Sequence, residues 1–188
     1  MFQAASAELI SSTTYRLSHF LRGLQGTDAD MMDVVPSGAR VIWLGSGWEV
    51  LDLPESYIGE TISLSASAAG RISDVVELDY QAKYLRPFKP VHLRLKRSGR
   101  EASLSWIRQS RIEGENWTGL DVPLGEETEL YRVQLLSDGQ VIFESEVSQS
   151  QIILSQTDID KTDIISIEQG SRAFGWGAAA IIDTASLV

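Results

Sequence analysis

The sequence predicts an all-β protein of two modules in tandem, and three observations carry that reading. Apolar and polar side chains alternate with a period of two along much of the chain, as where Ala102, Leu104 and Trp106 interleave with Ser103 and Ser105. Turn-forming glycines recur between the alternating stretches, at Gly45-Ser46-Gly47, Ser98-Gly99 and Asp138-Gly139. Arg86-Pro87-Phe88-Lys89-Pro90 then interrupts the pattern with prolines that fix the backbone and remove ladder donors, the composition of a stiff joint between sheets.

At 188 residues, 43% hydrophobic and 22% charged, the chain has the make-up of a globular protein, neither disordered nor embedded in a bilayer. Its longest apolar run, Gly177 to Ile182, is too short to span a membrane. The N-terminus lacks the basic segment and apolar core of a secretory signal, so a soluble chain with no membrane insertion is expected. A net charge of -10 argues against phosphate-driven nucleic-acid binding. The basic run Arg94, Lys96, Arg97 and Arg100 reads as a solvated face. With no cysteine, disulfides and thiolate metal sites are excluded.

The first module, residues 1–86, is expected to be a small, compact β domain. Glu8 to Gly23 reads as one long strand, with Tyr15, Leu17, His19 and Leu21 on one face and Arg16, Ser18, Phe20 and Arg22 on the other. Thr27 is placed to cap a helical turn over Asp28 to Asp33. Arg40 to Leu44 and Trp48 to Leu53 read as a hairpin closed by Gly45-Ser46-Gly47. Two further strands, Glu60 to Ser65 and Asp74 to Tyr80, flank the small-residue turn Ala66 to Arg71.

The second module, residues 87–188, is organised around the Trp106 strand, Ala102 to Ile112. Val91, Leu93 and Leu95 alternate with His92, Arg94 and Lys96, and Tyr131, Val133 and Leu135 alternate with Arg132 and Gln134. Strands at Val141 to Val147, Gln151 to Leu154, Asp163 to Glu168 and Ala178 to Ile182 complete the pattern expected of a fibronectin type III-like or immunoglobulin-like β-sandwich.

No residue set points to catalysis, and the chain is not expected to be an enzyme. His19 and His92 fall inside strands without the spacing of a metal or general-base pair. Gly45-Ser46-Gly47 lacks the third glycine and following helix of a phosphate nest. Asp158, Asp160 and Asp163 lie close in sequence but lack the central glycine and terminal bidentate glutamate of a calcium loop, so an inter-strand turn is preferred. The loop Glu113 to Glu129 is acidic, with Glu113, Glu115, Asp121, Glu126, Glu127 and Glu129, but nothing fixes the separation a sugar-cleaving carboxylate pair needs. No metal and no cofactor is expected. The candidate surface contacts are Trp117, Trp48 and Trp176, the residue type that stacks on sugars; a carbohydrate-binding module for capsule or cell-envelope glycans is therefore the rival reading.

Several stretches together resemble a known family. Tyr15-Arg16-Leu17-Ser18-His19-Phe20-Leu21-Arg22-Gly23-Leu24-Gln25-Gly26-Thr27, followed by Val41-Ile42-Trp43-Leu44, resembles a signature of phage tail-tip hub proteins. Leu85-Arg86-Pro87, Pro90-Val91-His92-Leu93, Ser105-Trp106-Ile107-Arg108, Trp117 with Asp121-Val122-Pro123-Leu124-Gly125-Glu126, and Tyr131-Arg132-Val133 are similar to the C-terminal region of the gene-transfer-agent host-specificity protein, the baseplate hub or "megatron". The resemblance implies a structural, virion-type component at a phage-like tail tip, one portion of a longer polypeptide that assembles as a trimer. Its implied partners are other tail and baseplate proteins and a host-surface receptor or glycan.

Overall fold

The structure, a computed structural model, describes residues 1–28, 30–45, 47, 50–72, 74–112 and 122–186. Backbone packing divides the chain into Met1–Lys83 and Tyr84–Val188.

In the first unit β1 (Phe2–Ser11) and β2 (Thr14–Arg22) form an antiparallel hairpin, so the long strand expected over Glu8 to Gly23 is two strands reversed at Ser12-Thr13. Cross-strand pairs hold it: Arg16 bridges to Glu8 at 3.2 Å, Ser6 and Ser18 share a hydrogen bond, and Phe2 meets Phe20 edge to face at 5.4 Å. Thr27 does not open a helix. It ends the 3-10 turn Leu24–Gly26, its hydroxyl donating to the Leu24 carbonyl at 2.7 Å.

The expected hairpin at 40–53 is also corrected: none of its described residues is in a strand, and Trp43 and Val50 are 84% and 93% exposed. Alternation there finds no neighbouring strand to pair with. Farther on, β3 (Thr61–Leu64) and β6 (Val76–Asp79) pair antiparallel around a small hairpin of β4 (Ser67–Ala68) and β5 (Arg71–Ile72). Its turn, Ala69-Gly70, takes left-handed backbone at both residues, the geometry that matches strand twist. Strands and short 3-10 turns are the regular elements of its described residues. Among its described hydrophobic residues only Tyr80 and Ala82 are buried.

The second unit is a two-sheet sandwich. One sheet has the order β11 (Gln151–Ser155), β8 (Glu101–Ile107), β7 (Val91–Ser98). The other runs β10 (Gln140–Val147), β9 (Tyr131–Ser137), β12 (Ile164–Ser171), and β12 also pairs with the short β13 (Gly175–Trp176) and with β14 (Ala180–Asp183). All pairings are antiparallel, and the strand order makes this a fibronectin type III-like sandwich. The one helix among the described residues, α1 (Gln156–Ile159), follows β11; the Ser155 side chain caps it by accepting from the Thr157 amide.

Both sheets turn their apolar face inward. Ala102, Leu104 and Trp106 from β8 and Leu154 from β11 meet Tyr131, Val133 and Leu135 from β9 and Ile165 and Ile167 from β12, with Ile159 of α1 closing one end. Trp106 lies edge to face on Tyr131, centroids 5.1 Å apart. The Asp138-Gly139 turn between β9 and β10 has left-handed backbone at both residues. Pro87 and Pro90 are buried within this unit, and Gly177 leaves room for the Pro87 carbonyl: a methyl there would collide with it. Arg86 to Pro90 is therefore packed on the sandwich and is not an exposed spacer.

Candidate functional site

The richest constellation of polar and aromatic groups lies where the β8–β9 connection meets the β12–β13 turn. Arg108 leaves β8 and donates to the carbonyls of Val122 and Pro123, at 2.6 and 3.1 Å. Arg111 forms a two-pronged ion pair with Glu126, its Nε and Nη2 donating at 2.9 and 3.0 Å. Both side chains are sheltered, so the fork is held in fixed geometry. The same guanidinium lies 5.9 Å from the centre of the Phe174 ring.

Glu127 organises the facing turn. Its carboxylate accepts from the Ser171 hydroxyl and from the amides of Arg172 and Ala173, at 3.1 to 3.2 Å. Its own backbone amide, then the donors from Arg172, Ser171 and Ala173, stabilise the charged form against the opposing effect of burial, and its pKa falls below the ordinary glutamate value. Nearby, the Tyr131 hydroxyl donates to Glu129 at 2.8 Å. Burial first, and the Glu129 carboxylate second, push the phenol far above its ordinary range, so it stays protonated as a fixed donor.

On the outer face of the sheet Arg132 donates through Nε to Glu168 at 2.6 Å and lies 4.7 Å from the Trp176 ring centre. Gly170 makes room for that indole, since a Cβ there would come within 2.6 Å of Trp176 Cζ3. Trp176 is thus half-buried, with its ring engaged by Arg132 and packed over Gly170. Trp117 and Trp48 lie outside the described residues, as do Glu113, Glu115 and Asp121 of the acidic loop and Ser46 of the Gly45-Ser46-Gly47 turn. The remaining acidic residues of that loop, Glu126, Glu127 and Glu129, are each committed to a different structural partner.

Two of the three aspartates after β11 turn to different partners. Asp160 takes Arg97 at 3.3 Å and the Gln156 amide, whereas Asp163 accepts the Asp138 backbone amide at 2.7 Å. Among the described residues no group of three or more His, Asp or Glu is placed to hold a metal ion. His19 and His92 lie in β2 and β7, both with left-handed backbone, and His92 sits where the β7–β8 register shifts. His92 also lines a cleft of about 310 Å³ between β7 and β14, together with Lys89, Val91, Leu93, Ala180 and Ile182. Among the described residues that lining brings no carboxylate or hydroxyl side chain to the imidazole.

The sequence reading missed three participants, Arg111, Arg132 and Gln169. The first two are ordinary charges on alternating positions until the fold supplies their carboxylates. Gln169 continues the inward face of β12 past Ile165 and Ile167, and both its amide atoms are buried without a hydrogen-bond partner among the described residues.

A family model described as Rcc01698-like, C-terminal, matches residues 1–42. No curated protein matches. Among solved structures, the chain is similar to the rat CD45 extracellular region, domains d3-d4, with 9% identity, 94% of this chain and 92% of that chain covered, and a TM-score of 0.39. It is also similar to a fourth human FNIII domain solved in solution, with 14% identity, 52% of this chain and 78% of that chain covered, and a TM-score of 0.32. At those scores the likenesses carry no weight for the fold, which rests on the strand order described above.

Proposed function

We propose that this chain is a structural component of a phage-like, gene-transfer-agent type tail tip or baseplate, contributing to hub assembly and to contact with the host surface. One observation carries the reading. The family-model match over residues 1–42 covers Tyr15 to Thr27, the stretch whose residues resemble the tail-tip hub signature. The first unit's exposed hairpin supports it: Leu9 and Tyr15, paired across β1 and β2, are both more than half exposed.

In this role the sandwich is a rigid bearing surface and breaks no bonds. Its partners are other tail or baseplate proteins, with an envelope receptor or glycan at the outer face, and within a full-length hub the chain forms part of a trimer. The test is electron microscopy and DNA-delivery assays on particles from a strain lacking this segment. Deformed tips or lost adsorption are expected; normal tips that adsorb and deliver DNA as usual would overturn the proposal.

A further inference from the structure

We infer that the second unit carries two complementary sheet edges through which copies of this chain join side by side, β7 of one copy pairing antiparallel with β10 of the next. In that register Arg94 lies opposite Glu146 and Lys96 opposite Glu144. The inference stands on the sandwich alone and does not require the tail-tip reading.

The two strands are the outer members of their sheets, β7 beyond β8 in one and β10 beyond β9 in the other. Each presents one side of its backbone to solvent, a row of donors and acceptors ready for another strand. On β7 the exposed positions Arg94 and Lys96 alternate with Leu93 and Leu95, which turn inward, and neither cation has an ion-pair partner among the described residues. On β10 the exposed positions Glu144 and Glu146 alternate with Phe143, Ser145 and Val147. Glu144 accepts only the Gln134 side-chain amide, and Glu146 has no salt bridge among the described residues.

Charge decides which edges can meet. Pairing β7 with a second β7 sets cations against cations, and pairing β10 with a second β10 sets carboxylates against carboxylates; like charges directly across a ladder are unfavourable. Only the mixed pairing places opposite charges in register. Its spacing also fits, because both strands carry their charges two residues apart on one face.

The inner face gains as well. Leu95 and Phe143 pack against the core but remain partly exposed at the sheet edges, and an added strand covers them. The cleft beside β14 takes up Lys89 to Leu93, so the pairing uses the part of β7 beyond it, Arg94 to Arg97. On β10 it uses Phe143 to Glu146, beyond the register shift between Val141 and Phe143. Because the two edges differ, the contact is head to tail and propagates to a ring or a filament.

Sedimentation velocity of the full chain over a range of protein and salt concentrations provides the test. Wild-type chain is expected to assemble reversibly, more weakly as salt rises. The double variants Arg94→Glu with Lys96→Glu, and Glu144→Lys with Glu146→Lys, should each weaken assembly by at least roughly tenfold. An equimolar mixture of the two should recover it, since each reversed edge then meets its complement. The milder Arg94→Gln with Lys96→Gln pair, which removes attraction without adding repulsion, should weaken assembly by a smaller factor while leaving the circular dichroism spectrum unchanged. A wild-type chain that stays monomeric, assembly that survives either reversal, or a mixture that fails to recover would each overturn the inference.

Discussion

Replacing Trp106 by alanine tests whether the second unit is built around this indole. Trp106 is 4% exposed and lies edge to face on Tyr131. Truncation to a methyl group removes about 180 Å² of buried apolar surface, which at ~25 cal/mol per Å² amounts to roughly 4.5 kcal/mol. The lost aromatic pairing adds about 1 kcal/mol, and partial collapse of the hole recovers a similar amount, leaving a net loss of about 3–5 kcal/mol. Domains of this kind are stable by only about 5–15 kcal/mol, so a large share of the total would go. Urea titration of the full chain followed by far-UV circular dichroism measures it. Trp106→Phe, which keeps an aromatic ring against Tyr131, should lose about 1–2 kcal/mol. A fall below about 1 kcal/mol for Trp106→Ala would refute the reasoning, because no fully packed indole can be removed at so small a cost.

Further outcomes follow from the loop end and its surroundings. The pKa of Glu127 is lowered in the folded chain, so whatever stability its carboxylate lends is present above the ordinary glutamate range and lost as pH falls below that range through the lowered folded value. Glu127→Gln should accordingly lower the urea midpoint at neutral pH and converge on wild type in acid; a gap that persists in acid would contradict the assignment. Gln169→Met replaces an amide buried without a hydrogen-bond partner among the described residues by an apolar side chain of similar length, and should stabilise by about 1–2 kcal/mol in the same assay. A loss instead would mean that ordered water satisfies the amide. Gly170→Ala puts a methyl against the Trp176 ring and should cost about 1–3 kcal/mol, with a change in the near-UV tryptophan signal as the indole leaves Arg132.

Where the sequence was legible, two signals agreed. Leu104 and Trp106, like Tyr131, Val133 and Leu135, alternate with polar neighbours, and each chain of alternation ends at a recognisable turn, so the inward faces of β8 and β9 could be read before the fold was known. The Asp138-Gly139 turn combined a residue tolerant of left-handed backbone with one that prefers it. Where one signal stood alone, the reading failed. Ser12-Thr13 has no glycine, proline or asparagine, so the reversal between β1 and β2 left no mark in an otherwise continuous alternating run.

Residues 40–53 show the converse: alternation and a glycine turn were both present, yet the described residues there form no strand, because a ladder needs a partner that local pattern does not supply. The α1 turn left no mark in the sequence, because its four residues are too short to show periodicity. The loop-end network was the least legible part. Arg111 finds Glu126, and Glu127 finds Ser171 to Ala173, across separations that only the closed sandwich brings within hydrogen-bond reach.

The central claim is that order in this chain is concentrated in the two sheets packed on Trp106. Native-state hydrogen exchange of the full chain, read residue by residue, tests it most directly. The slowest amides are expected in β8, β9 and β12, all exchanging through one shared opening, while described residues of the 40–53 stretch exchange nearly as fast as unfolded peptide. Slow exchange centred on Met1–Lys83, or no protected core in β8, β9 and β12, would contradict the account.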